Sequence, residues 1–314
     1  MKPRFALIPS GYKASTIYTV VGNDCVFKRT SNATRINEQG VIEELGAEIP
    51  RLDYSYSNCP VLLLEPTRTN LYLNSDTLVT QDVTTSAAEY TVSFYGTGGL
   101  AFSGSYTGEL EGTGYNERVS LTFTASAGTL TTTVTGDVRN AQIEEGYLTS
   151  YIPTTTATTR LRDIMYSEEI ILPKNGVLYA EMKAFTSDYD AVQELRIRNQ
   201  IDGQRVVIRY SNVTNQITAY VNDGAFKGVI NYTGTDITDF HKIAYKYESG
   251  SQELYVDGVL VGSATDSYNI TEDLDEIGNM SGNSGTGNSA KLILKDLRVY
   301  DTVLTEAEAI ELTT

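Results

Sequence analysis

The sequence has no tryptophan, one histidine and two cysteines among its 314 residues. One imidazole and two thiols leave little material for zinc sites, Ser-His-Asp triads or a disulfide scaffold. Any sugar-stacking platform has to come mainly from tyrosine, which occurs 22 times against 8 phenylalanines. No apolar run approaches the roughly 20 residues of a membrane-crossing helix. The stretch from Met1 to Ser15 carries Lys2, Arg4 and Lys13 but no apolar segment, so no cleaved secretory leader is expected. Basic charge is scarce as well. The 24 Lys and Arg face 40 Asp and Glu, a net −16 that repels phosphate backbones and argues against a nucleic-acid partner.

What is plentiful is Thr, Ser, Gly, Asn, Val and Tyr, the composition of short strands joined by turns. Period-two alternation recurs. Ile243, Tyr245 and Tyr247 share one face, with Lys242 and Lys246 on the other, and Leu195-Arg196-Ile197-Arg198 alternates apolar with basic. Asp202-Gly203, Asp223-Gly224, Asp257-Gly258 and the Gly/Asn/Ser stretch from Ser281 to Ser289 supply turns. The pattern predicts an all-β chain in three regions. Residues 1–75, with both cysteines and five prolines, read as an extended, β-rich segment packing along other elements. Residues 76–162 carry strand runs at Tyr90 to Tyr95, Arg118 to Thr124 and Thr129 to Val134, which predict a small β-sandwich followed by a Thr-rich connector from Ile152 to Arg160. Residues 163–314 continue in strands until Thr305-Glu306-Ala307-Glu308, a capping box for a short helix docked through Ala309, Ile310 and Leu312. Cys25 and Cys59 are near enough in sequence to pair, but two buried free thiols are the favoured reading.

Glu65-Pro66-Thr67-Arg68-Thr69-Asn70-Leu71 with Asn74-Ser75, preceded by Arg35-Ile36-Asn37, Gly40-Val41-Ile42-Glu43 and Pro50-Arg51-Leu52-Asp53-Tyr54, resembles a phrase of bacteriophage tail and appendage proteins. Asn140-Ala141-Gln142-Ile143-Glu144-Glu145-Gly146 and Thr149-Ser150-Tyr151-Ile152-Pro153-Thr154-Thr155 resemble the close of that family's small sandwich domain. In the second half, Phe240-His241-Lys242-Ile243-Ala244, Leu254-Tyr255-Val256-Asp257-Gly258, Ile277-Gly278 and Leu297-Arg298-Val299-Tyr300-Asp301 resemble the laminin G-like, concanavalin A-like jelly roll, with Phe240 where that family has Trp. The first resemblance implies a virion protein, a tail or head fibre or decoration subunit at the particle surface, made in the host cytoplasm. Residues 1–75 would then attach and oligomerise, beside other virion proteins and copies of the same chain, as a trimer first and a dimer second. No membrane partner is implied. The second resemblance implies two packed antiparallel sheets, a carbohydrate-binding role toward host-surface glycans, and in some members bound calcium.

A pyranose needs a flat aromatic face beside planar polar groups. Tyr189, Tyr232 and Tyr268 are the candidate platform, with Tyr210 and Tyr220 as further choices. Calcium takes 6–8 oxygen ligands; Asp188, Asp190 and Asp223 are its candidate ligands, near Asn222, Asn283 and Asn288, with solvated turns as the alternative. The acidic run Glu272-Asp273-Leu274-Asp275-Glu276 is a poor hydrolase signature. Glycoside hydrolysis needs two carboxyls about 5–5.5 Å or about 6.5–9.5 Å apart, whereas Glu272 and Glu276 in a strand stand about 13 Å apart. That run reads as solvated, and His241 as structural. No catalytic residue is assigned, and a non-enzymatic binding protein is the leading reading. A purely architectural virion protein and a polysaccharide depolymerase are the alternatives.

Overall fold

The computed structural model describes residues 2–189, 193–279 and 291–314. Asp190 and the Ser281 to Ser289 stretch, with Asn283 and Asn288, lie outside the described residues. Among the described residues the chain is all-β with one short C-terminal helix. One large sheet runs, in spatial order, Val259–Ala264, Ser251–Val256, His241–Glu248, Gly176–Ala184, Leu292–Tyr300, Val61–Leu64 and Leu52–Asp53, with Phe5–Leu7 also paired to Leu292–Tyr300. The other runs Tyr12–Lys13, Thr16–Ile17, Cys25–Lys28, Ile164–Leu172, Leu274–Gly278, Gln193–Arg198, Arg205–Tyr210, Ile217–Asn222 and Phe226–Tyr232. A single apolar core joins their facing sides, with Leu178, Tyr245 and Leu294 from the first sheet meeting Ile197, Ile208 and Ile277 from the second.

Alternation creates this core. In His241–Glu248, Ile243, Tyr245 and Tyr247 are fully buried while Lys242 and Lys246 point away. The buried phenols find acceptors, Tyr245 donating to the Gly228 carbonyl at 3.0 Å and Tyr247 to that of Pro173 at 3.2 Å. Each large side chain so buried contributes about 1.5–3 kcal/mol. The Asp257-Gly258 turn joins Ser251–Val256 to Val259–Ala264 with positive φ at both central residues, 48° and 78°. Such a backbone matches the strand twist and favours Asp-Gly.

Residues 1–75 pack along other elements, and they do so as integral strands. Cys25–Lys28 pairs with Ile164–Leu172, and Val61–Leu64 pairs with Leu292–Tyr300. Phe5, Leu7, Phe27, Leu62 and Leu64 belong to the main core. A segment separate from the jelly roll is therefore not what this stretch forms. Cys25 is buried and Cys59 exposed, both as free thiols, so the expectation of two buried thiols holds only for Cys25.

The small sandwich has its own core. Gln81–Thr85, Gly128–Thr135, Gly99–Gly104 and Gly108–Glu111 form one sheet, and Gly114–Ala125, Ala88–Gly96 and Arg139–Glu145 the other. Val92, Phe94 and Leu130 are fully buried between them, and Val119, Leu121 and Val134 pack at the margin. The C-terminal helix, Glu306–Thr313, starts as predicted: Glu308 N–H donates to the Thr305 hydroxyl, and the Glu308 carboxylate accepts from Thr305 N–H at 2.9 Å. Ala309, Ile310 and Leu312 pack on Val177, Tyr179, Ala244 and Tyr255, outside the larger core.

Candidate functional site

The two parts meet at a buried cluster of charge. Arg29, Arg51, Arg160, Glu65 and Asp163 are each at most 2% exposed. Asp163 pairs with Arg29 at 3.1 Å and with Arg51; Glu65 pairs with Arg160 at 2.7 Å and with Arg51. Ser150 donates to Glu65 from both its backbone N–H and its hydroxyl, each at 2.7 Å. The backbone N–H of Glu65 donates to Asp163 at 2.8 Å. Burial pushes the Glu65 carboxyl up, but Arg160, Arg51 and the Ser150 hydroxyl more than offset it and hold the group at about 2. Arg51, Glu65 and Ser150 come from three of the sequence phrases singled out above. Those phrases thus build the junction: a buried charge persists only when its partners are in place, and removing one partner costs about 3–5 kcal/mol.

Above this cluster opens a cleft of about 470 Å³, within the range of small-ligand sites. All parts of the chain contribute. The Ala33–Ile36 and Ile42–Leu45 hairpin gives Arg35; the loop after Leu52–Asp53 gives Tyr56; the small sandwich gives Tyr95, Asn116 and Arg118; the 148–151 connector gives Tyr151; and the larger sandwich gives Phe185. Tyr56 is 43% exposed and packs edge-on against Phe240 at 5.5 Å, under the Lys183 ammonium 5.0 Å from its ring centre. Phe240 therefore supports the rim of the cleft, not the centre of the sandwich. Phe185 stacks on Tyr147 at 5.9 Å. Burial raises the phenols of Tyr95 and Tyr151 further above a value that is already alkaline.

The polar groups of the cleft divide by how far they are already engaged. Asp53 accepts from the Ile36 and Ser55 N–H groups at 2.7 and 2.9 Å, and Arg35 pairs with Glu43 at 2.8 Å. Arg118 donates to the Thr149 carbonyl at 2.8 Å and the Ser93 hydroxyl at 2.9 Å. Both of its partners are neutral, so its charge is not cancelled by either. Glu65 at the floor is ionised and held by two guanidiniums, whereas a general acid for glycoside cleavage needs a raised pKa. Aromatic faces, hydroxyls, an amide and a guanidinium converge in one recess.

The residues expected from sequence to bind ligands are dispersed. Tyr189 is 4% exposed, its hydroxyl donating to the Lys291 carbonyl at 2.7 Å and accepting from Phe185 N–H at 2.9 Å, so its ring is core and offers no face to a sugar. Tyr232 is half-buried opposite Ile217. Tyr268 is half-buried, donating to the Lys174 carbonyl at 3.0 Å, and the next residue's N–H donates to Asp223 at 3.0 Å. Tyr232 and Tyr268 thus lie at opposite ends of the Ile217–Asn222 strand and form no common platform. Asp188 and Asp223 are separated in the same way. Asn215 N–H donates to Ser187 next to Asp188, whereas Asp223 caps the turn beyond Asn222, about 20 Å away along the strand. Among the described residues no three His, Cys, Asp or Glu side chains converge as a metal set. Tyr210 and Tyr220 are fully buried. Glu276, expected to be solvated, is 1% exposed and pairs at 2.7 Å with Arg198, its direct partner on the neighbouring strand. His241 holds a loop, placed between Asp257 and the Asp236 carbonyl at 2.5 and 2.8 Å.

The larger sandwich is a concanavalin A-like jelly roll. Residues 180–309 match the family model described as the concanavalin A-like lectin/glucanases superfamily, laminin G type. Among solved structures, the chain is similar to the CBM40 of the Ruminococcus gnavus IT-sialidase bound to α2,3-sialyllactose, at 18% identity over 46% of this chain and 84% of that one, with a TM-score of 0.38. It is also similar to a Bacillus licheniformis β-glucanase, at 17% identity over 46% of this chain and 73% of that one, with a TM-score of 0.35. No curated protein matches the chain.

Proposed function

We propose that this chain is a non-enzymatic glycan-binding protein, a subunit of a bacteriophage appendage that engages saccharides of the host surface. The observation that carries the binding role is the cleft in which Tyr56, Tyr95 and Phe185 stand beside Asn116 and Arg118. Such a recess supplies both the apolar and the hydrogen-bonding halves of sugar recognition. The family match of residues 180–309 and the phage-type phrases that build the junction support the same reading. The tying of Glu65 to Arg51 and Arg160 supports binding over cleavage. In an appendage, copies of the chain act together, a trimer being the first expectation, because several weak contacts combine into one avid one. A glycan array probed with the full chain tests the binding role. Binding of at least one saccharide that disappears in Tyr56→Ala supports it, and the absence of any Tyr56-dependent saccharide signal across bacterial surface polysaccharides refutes it. Release of reducing ends from host capsule would replace it with a hydrolase.

A further inference from the structure

The nine-stranded sheet turns one side to the core and the other away from it. On the outer side of Gln193–Arg198 and Arg205–Tyr210 stand Arg196, Arg198, Arg205 and Arg209, since Leu195, Ile197, Val206 and Ile208 face inward. In a chain of net charge −16 this is a local excess of the opposite sign. Three of the guanidiniums share one carboxylate, Glu194, at 3.0 Å from Arg196, 3.8 Å from Arg205 and 3.7 Å from Arg209. That carboxylate is engaged further by the Tyr220 hydroxyl at 2.6 Å. Arg198 pairs with Glu276 on the neighbouring strand, and Glu168 lies one strand beyond. The arginines lie flat: Arg205 and Arg209 extend over the Tyr220 ring, 5.9 and 5.1 Å from its centre, with side chains 25% and 22% exposed.

The strand register sets these groups in a row. Arg198, Arg205, Asn222 and Phe226 are successive cross-strand partners, spanning about 14 Å at the usual strand spacing. Phe226 ends the row 59% exposed, held edge-on against Tyr220 at 5.0 Å. Guanidiniums match carboxylates with two parallel hydrogen bonds, an amide matches hydroxyls, and an open ring takes the apolar face of a pyranose.

We propose that this outer face binds an anionic, carboxylate-bearing polysaccharide laid across the strands, with Arg198, Arg205 and Arg209 taking the carboxylates and Phe226 a sugar face. The site is distinct from the cleft and does not depend on it. The test is calorimetric titration of the full chain with polygalacturonate oligomers, with neutral dextran and a single-stranded oligonucleotide as comparison ligands. Binding of polygalacturonate that weakens with salt is expected, and Arg205→Gln with Arg209→Gln is expected to weaken it by at least about tenfold, as for lost charge-assisted hydrogen bonds. Glu194→Gln frees three guanidiniums from their shared partner and is expected to tighten binding, a gain that no folding defect produces. Tyr56→Ala in the cleft is expected to leave this binding unchanged. No binding by the wild-type chain, equal binding of dextran, tighter binding of the oligonucleotide, or indifference to both the arginine and the Glu194 variants would each overturn the proposal.

Discussion

Glu65 shows what a single residue does at this junction. Its carboxyl titrates at about 2 in the folded chain against 4.5 unperturbed, so the unfolded chain binds the extra proton as pH falls. Its contribution is therefore complete above about pH 4.5 and is lost as pH falls toward 2. Denaturant titrations at pH 5 and pH 3 are expected to show lower stability at pH 3. Glu65→Gln is expected to lose about 3–5 kcal/mol at neutral pH, since it strands buried guanidiniums, and to show a smaller change between the two pH values. Tyr56 is the opposite case, with 43% of its surface exposed. Its truncation to Ala is expected to remove saccharide binding at the cleft while leaving the melting temperature nearly unchanged. The thiols report burial directly. Cys25 is buried, and burial pushes its thiol far up, whereas Cys59 is exposed. A thiol-reactive dye is expected to label Cys59 alone in the native chain and both cysteines after unfolding; native labelling of Cys25 would contradict the placement of its strand.

Among the elements, the C-terminal helix depends most on local chemistry. It is short, Glu306–Thr313, and too brief to persist without its cap and its docking. Thr305→Ala removes the side-chain half of the capping box and is expected to cost about 1 kcal/mol, measurable as a shift of the denaturation midpoint. The hairpin Ala33–Ile36 with Ile42–Leu45 is held differently. Asp53 accepts the Ile36 N–H, and the Thr34 hydroxyl bonds the Tyr151 carbonyl at 2.5 Å, so the wall of the cleft is fixed by distant residues. Its own turn is local, with the Asn37 side-chain oxygen accepting from the Gln39 and Val41 N–H groups and Gly40 at positive φ, but no local signal places the hairpin beside the connector.

At the scale of the molecule, the two sandwiches are not equally autonomous. The larger one takes Cys25–Lys28 onto one sheet and Phe5–Leu7 and Val61–Leu64 onto the other. A 163–314 fragment would lose these strands and expose the apolar faces that Phe27, Leu62 and Leu64 cover. It is expected to aggregate or to lack the dispersed NMR spectrum expected of the full chain; a well-folded fragment would show that the N-terminal strands are accessory. The small sandwich closes over its own core and joins the rest through Asn70, whose amide donates to the Ala141 and Ile152 carbonyls at 3.0 and 2.9 Å.

Local pattern alone determined the all-β class, the strands at Lys242 to Tyr247 and Leu195 to Arg198, the Asp257-Gly258 turn, the capping box and the existence of a small sandwich. Each rests on side-chain alternation or backbone preference, which neighbours in sequence express by themselves. The cleft was not legible in this way. Tyr56, Tyr95, Arg118 and Phe185 are far apart in the chain, and no spacing distinguishes them from Tyr189 or Tyr210, which folding places in the core. The clearest trace was indirect, in the phrases around Arg51, Glu65 and Ser150, since the Arg51 and Glu65 charges could be buried only with each other and with donors such as Ser150 in place. Strand order and the pairing of buried charges are long-range choices, made by which apolar faces and which ions the whole fold can cover at once. Only the tertiary structure could decide which tyrosines face the solvent.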